Sequence, residues 1–149
     1  DQALTNRPIT VHGDGKQVRC FCHVHDVVEA TTALLFSDDA VGQVYNVGSD
    51  ERTTIEELAL LVKDRTGSNS EISYLSYSEA YGEGFEDMQI RVPSLEKVRS
   101  AIGYRPKRSL PEIIDDVIAA SRAKPAASMA VSAAPAWKPS RSDSAREPG

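Results

Sequence analysis

Two cysteines and two histidines, Cys20, Cys22, His23 and His25, lie close together in the chain. These residue types ligate metals or act as nucleophiles. A zinc site, however, needs four converging groups and a wider cysteine spacing, and strand alternation sends Cys22 and His23 to opposite faces. Buried thiols beside a histidine at a helix start explain the cluster more simply, so no metal is expected. Cysteines two apart on one strand do not close an ordinary disulfide easily, which fits a reduced, cytoplasmic setting. Arg19 and Phe21 alternate with these cysteines, so both should face one cleft while Cys20 and Cys22 face away from it. An arginine fork makes two parallel charge-assisted hydrogen bonds to an anion, although by residue type alone a surface salt bridge is its usual fate. His12 acquires no role.

The chain has 149 residues, 40% hydrophobic and 26% charged, as expected for one globular domain with room for a tail. Its formal charge of −5 argues against a broad nucleic-acid surface, so any anionic ligand must be met locally. The longest apolar runs, such as Ala33 to Phe36, fall far short of the ~20 residues that cross a bilayer, and no membrane anchor is expected. The start, Asp1-Gln2-Ala3-Leu4, has neither a basic nor an apolar run and reads as the middle of something longer. Composition shifts near Arg122. Residues 123–149 are Ala/Ser/Pro-rich and aperiodic, which predicts a disordered tail with Trp137 as its one potential docking anchor. Residues 1–122 hold 13 basic and 20 acidic residues, a net charge of −7.

Strand and helix signals alternate through 1–122. Ile9 to His12, the turn Gly13-Asp14-Gly15, and Gln17 to Val24 read as two extended segments joined by a tight turn, with glycine supplying positive φ. Asp26 and Glu29 form a capping-box pattern for a helix from about Val27 to Ser37. Gln43 to Val47 reads as a buried strand, and Thr53 with Glu56 as the cap of a helix ending at Gly67. Glu71 to Leu75 is a further strand. Ser76 to Pro93 shows no period, and a loop of that length is usually functional; Tyr81 to Met88 in it carries two glycines and reads equally as a loop that closes over a ligand and as a solvated one. Ser94 caps a helix through Ile102, and Ser109, Pro111 and Glu112 open a last helix through about Ala120.

The run from Pro8 to Asp26, with its Gly-Asp-Gly-x-Gln-x-Arg-x-Phe turn and following Val-x-Asp helix start, resembles the extended short-chain dehydrogenase/reductase family of nucleotide-sugar epimerases, dehydratases and decarboxylases. The resemblance continues through Val44-Tyr-Asn-Val-Gly48, Thr53 to Gly67, Arg91-Val-Pro-Ser94 and on to Pro106. It implies an α/β fold: the carboxy-terminal, substrate-binding part of a Rossmann-type enzyme whose dinucleotide-binding part is missing. It gives Arg19 a diphosphate contact and places Arg91 on the diphosphate or sugar, close to the sugar carboxylate in decarboxylating members. Gln17, Phe21 and Ser94 complete the expected substrate-binding set. Ser94 stands where many members have an Asp that accepts from ribose, and can still make one hydrogen bond.

Catalysis in that family uses NAD on a Gly-rich turn and a Tyr-x-x-x-Lys pair. No two of the nine glycines are three apart, and no tyrosine is followed four residues later by lysine; Tyr104 is followed by Arg108. No catalytic residue and no bound NAD are therefore expected on this chain, and NAD is assigned to the parent enzyme, a homodimer by resemblance. The expected partner is a nucleotide-diphosphate sugar, most naturally a UDP-sugar. A non-catalytic nucleotide-sugar or partner-binding module is the alternative, and an inert fragment the last.

Overall fold

The computed structural model describes residues 1–123, so the Ala/Ser/Pro-rich stretch and Trp137 lie outside the described residues. Strands β1 (Ile9–His12) and β4 (Ile72–Leu75) form a parallel pair in the register Ile9↔Ile72 to His12↔Leu75. Parallel strands need a crossover, and this one holds β2 (Val18–Arg19), α1 (Val24–Leu35), β3 (Thr53–Thr54) and α2 (Ile55–Thr66). β2 pairs antiparallel with β3. The segments flanking the glycine turn thus pair with other strands and not with each other, and the expected strand through Val24 shrinks to two residues because its ladder with β3 ends at Arg19. The glycines behave as expected: Gly13 and Gly15 have φ of 74° and 75°. A Cβ on Gly13 would also lie 2.6 Å from Tyr77 Cε2, so the turn excludes other residues twice over.

Helix caps differ from the sequence reading in instructive ways. α1 is capped by His23, whose Nδ1 accepts from the His25 amide at 3.1 Å. Asp26, read as the cap, is instead 1% exposed and accepts from the Lys107 and Arg108 amides at 3.1 and 3.2 Å and from Arg108 Nη1 at 2.6 Å. It ties α1 to the stretch before α5 (Leu110–Ala123). In α2 the capping box is Thr54–Glu57, one residue on from Thr53–Glu56: the Glu57 amide donates to Thr54 Oγ1 at 3.1 Å and the Thr54 amide to Glu57 Oε2 at 2.8 Å. Gly67, in the left-handed region, ends α2 as read. Ser109 and Glu112 open α5 as read, the Ser109 amide donating to Glu112 Oε2 at 2.8 Å.

The other departures lie where tertiary pairing decides. Residues 43–47 form no ladder: Tyr45 and Val47 pack inward, but Val44 is 83% exposed and no strand lies beside it. Within 76–93, Ser76 and Glu79 make a capping box for a short helix, α3 (Tyr77–Tyr81). Ser94 does not cap α4 (Glu96–Ile102); Leu95 holds that position without a side-chain hydrogen bond.

Three small apolar clusters hold these elements. Val11 and Ile9 of β1 meet Ala59 of α2 and Ala3. Ala30 of α1 meets Leu95, Val98 and Tyr104 around α4. Leu110, Ile114 and Ile118 of α5 meet Phe21 and the far side of α2. No described helix is long and apolar enough to cross a membrane.

Candidate functional site

Arg19 ends β2, and the chain that lies beside it comes from far along the sequence. The Val18 amide donates to the Gln89 carbonyl at 2.7 Å and the Arg91 amide to the Val18 carbonyl at 3.1 Å, around a parallel bridge between Val18 and Ile90. This pairing brings Arg91 to Arg19. Both arginines line one open cavity of about 450 Å³, together with Cys20, Cys22, Asn46 and Pro93. Arg19 also lines a second cavity of about 380 Å³, walled by His12, Gln17, Tyr77, Tyr81, Phe85 and Asp87.

The Arg19 side chain is 12% exposed, with Nη2 donating to Asp87 Oδ2 at 2.5 Å and Nη1 to its neighbour's carbonyl, Val18 O, at 2.8 Å. Arg91 is exposed. Gln17 is 4% exposed; its Nε2 donates to the His12 carbonyl at 2.7 Å, while its Oε1 is buried without a protein partner. Tyr77 covers Gly13 and donates to Asp87 Oδ2 at 3.1 Å, and its proton is held more tightly than usual, first by burial and then by that hydrogen bond. Burial likewise pushes the Cys20 thiol up, with Arg52 pulling it back. Beneath the first cavity, Tyr104 donates to the Gly48 carbonyl at 2.8 Å; burial and the Cys22 thiol raise its pKa, so it stays a hydroxyl.

Not every expected residue arrives. Phe21 packs on the α5 cluster and lines a different hollow, while Cys20 and Cys22, expected to face away, line the cavity with Arg19. The ladder ends at Arg19, so strand alternation has no hold on the residues beyond it. Ser94 is exposed and lines neither cavity; its carbonyl accepts from Asn46 Nδ2 at 3.4 Å. Asp87, Tyr77 and His12, which line the second cavity with Arg19, are not among the residues expected from the sequence. The Ser-x-x-Glu cap at Ser76 was the one local signal that the long loop had structure placing Tyr77. Among the described residues no three His, Cys, Asp or Glu side chains gather as a metal site.

The described residues form a small α/β unit in which two guanidinium groups from separate segments, Arg19 and Arg91, line one cavity. The chain belongs to the GDP-mannose 4,6 dehydratase family, whose profile matches residues 2–117, within the extended short-chain dehydrogenase/reductase group of nucleotide-sugar epimerases and dehydratases. It is 35% identical over 117 residues to a UDP-N-acetyl-alpha-D-glucosaminuronate decarboxylase of Bacillus cytotoxicus, a match covering 78% of this chain and 36% of that protein. Its structure is similar to a UDP-glucose 4-epimerase from Thermotoga maritima solved with UDP-glucose, with a TM-score of 0.71, 27% identity and coverage of 81% of this chain and 37% of that one. A Thermus thermophilus UDP-glucose 4-epimerase in complex with NAD gives a TM-score of 0.69 at 28% identity, covering 82% and 38%. The chain thus spans little more than a third of these relatives.

Proposed function

We propose that residues 1–122 form the substrate-binding part of an NAD-dependent nucleotide-sugar epimerase or decarboxylase, with a UDP-sugar as ligand and catalysis depending on residues this chain does not carry. The observation behind this reading is the convergence of Arg19 and Arg91, 72 positions apart in the sequence, on one cavity. Two clustered cations on a chain of net negative charge suit a diphosphate, whose oxygens accept the paired hydrogen bonds that a guanidinium fork offers. Arg91, the more exposed, is assigned to the diphosphate or the sugar. Gln17 braces the glycine turn through His12, and Ser94 offers at most a peripheral contact.

A dinucleotide does not fit the residues present. The glycine turn leads into β2 and not into a helix start, so it lacks the row of free amides that holds a pyrophosphate, and Tyr77 covers it. NAD therefore belongs to the parent enzyme, whose dinucleotide-binding sheet would cover the apolar side chains left open here, among them Val28, Leu35, Phe36 and Val44. Calorimetry with UDP-glucose and UDP-glucuronate is the test. Binding that Arg19→Ala and Arg91→Ala each weaken at least tenfold, about 1.4 kcal/mol, supports the reading, with no turnover when NAD is added. Unchanged affinity in both variants overturns the site, and turnover by this chain alone overturns the catalytic assignment.

A further inference from the structure

Arg19 stands between the two cavities, and its charge is already engaged by Asp87. Asp87 is carried on a segment held mainly by side chains. Its carboxylate, 31% exposed, accepts from Arg19, from Tyr77 Oη at 3.1 Å and from the Met88 amide at 2.8 Å. Tyr81 Oη lies 2.8 Å from His12 Nδ1, and Phe85 stacks on Tyr81 with ring centroids 4.5 Å apart. Residues 81–86 are otherwise exposed, and Gly82 and Gly84, with φ of 91° and 82°, have open space around them. A segment with few apolar contacts and two unhindered glycines belongs to the least stable part of a fold.

We propose that Asp87 is a built-in competitor for Arg19: in the free chain its carboxylate neutralises the guanidinium, and a diphosphate entering the Arg19/Arg91 cavity displaces it and releases residues 82–88. The inference rests on the reading that Arg19 receives a phosphate group. A diphosphate places two negative charges next to a cation that already has a negative neighbour, and the two anions repel across it. Asp87 is the one that can leave at low cost, because a partly exposed carboxylate regains its hydration when it turns outward. A ligand on both arginines has two guanidinium partners to hold it where Asp87 has one. Asp87 would then set how strongly the free chain takes up any phosphate-bearing ligand, and the strap would loosen only when the cavity is filled.

Calorimetry with inorganic pyrophosphate at constant ionic strength tests this on wild type, Asp87→Asn and Arg19→Ala. Asp87→Asn, which keeps the shape and removes the charge, is expected to bind about five- to tenfold more tightly than wild type, the size of one like charge at this range in a partly solvated site. Equal or weaker binding overturns the inference and makes Asp87 a positioning residue for Arg19. Hydrogen exchange on the wild-type chain gives a second readout that needs no variant to fold. Saturating pyrophosphate is expected to speed exchange of the Met88 amide and its neighbours in 82–88, and slower or unchanged exchange counts against displacement. Binding that Arg19→Ala abolishes, without tightening in Asp87→Asn, sinks this inference alone. Failure of all three proteins to bind sinks the diphosphate reading with it.

Discussion

Helices α1 and α2 are the same length and both begin with a side-chain cap, yet their surroundings differ. α2 is enclosed: Ala59 packs on β1, Leu58, Leu61 and Val62 meet α5, and Arg65 pairs with Asp115 of α5 through Nε and Oδ1 at 2.8 Å. α1 buries Ala30 against α4 but leaves Val24, Val28 and Leu35 at 65%, 56% and 77% exposure. Its ties to the chain around α5 are polar, through Asp26, Glu29 to Lys107, and its cap His23, whose Nε2 lies 3.1 Å from Asp116 Oδ2. The same local code therefore yields one helix packed on two sides and one packed on the α4 side alone, with the buried Asp26 carboxylate tying it to the stretch before α5. An apolar face left open beside a buried charge anchor is what a surface awaiting a further layer of protein looks like.

Four substitutions would break or sharpen that contrast. The largest effect belongs to Asp26→Asn, whose one remaining acceptor oxygen can serve the two amides or the Arg108 guanidinium but not both; urea unfolding is expected to show a loss of about 3 kcal/mol. Burial alone would raise the pKa of Asp26, but hydrogen bonds from Lys107 and Arg108 outweigh it and hold the carboxyl below its usual range. A lowered folded-state value means that the stabilisation is complete above pH ~4 and drains away as pH falls through that value. Asp26→Asn should accordingly flatten the stability loss as pH falls below about 4. An equally steep acid profile would show that α1 is fastened some other way. Next comes Val11→Ala, in the cluster beneath α2, at about 2 kcal/mol by the same measurement, whereas Val28→Ala on the open face of α1 should stay within about 0.5 kcal/mol. Comparable losses would erase the distinction between the two helices. Thr54→Ala, which removes half of the α2 capping box, should cost about 1 kcal/mol, less than Val11→Ala and more than Val28→Ala.

What was legible in the chain was chiefly local. The glycine turn, the stop at Gly67 and the Ser109–Glu112 start of α5 are each decided by a residue's own backbone preference or by a partner three residues away, so the sequence carries them directly. The capping box of α2 lies one residue further on than its spacing suggests, because Thr53 and Thr54 are chemically alike and the ladder with β2 holds both of them extended, so that the helix starts only at Ile55. Asp26 was misread for the complementary reason. Its spacing to Glu29 fits a cap, but amides 81 and 82 residues away claimed the carboxylate first. Residues 43–47 look like a buried strand because their apolar run suits two covered faces, and this chain covers only one.

The two arginines mark the boundary between these kinds of information. Their chemistry, a planar cation suited to phosphate, is written in residue type, and the family resemblance picked out both. Their shared cavity exists only because residues 89–91 run beside β2, a pairing with no local signature. Asp87 stayed hidden for the same reason: carboxylates are common in loops, and nothing in the order of residues says which one will reach a buried guanidinium. Turns and caps follow from interactions within a few residues, and those the sequence fixes by itself. Which charges meet, and which apolar faces remain open, depends on contacts between distant segments, and those are decided only when the chain has folded.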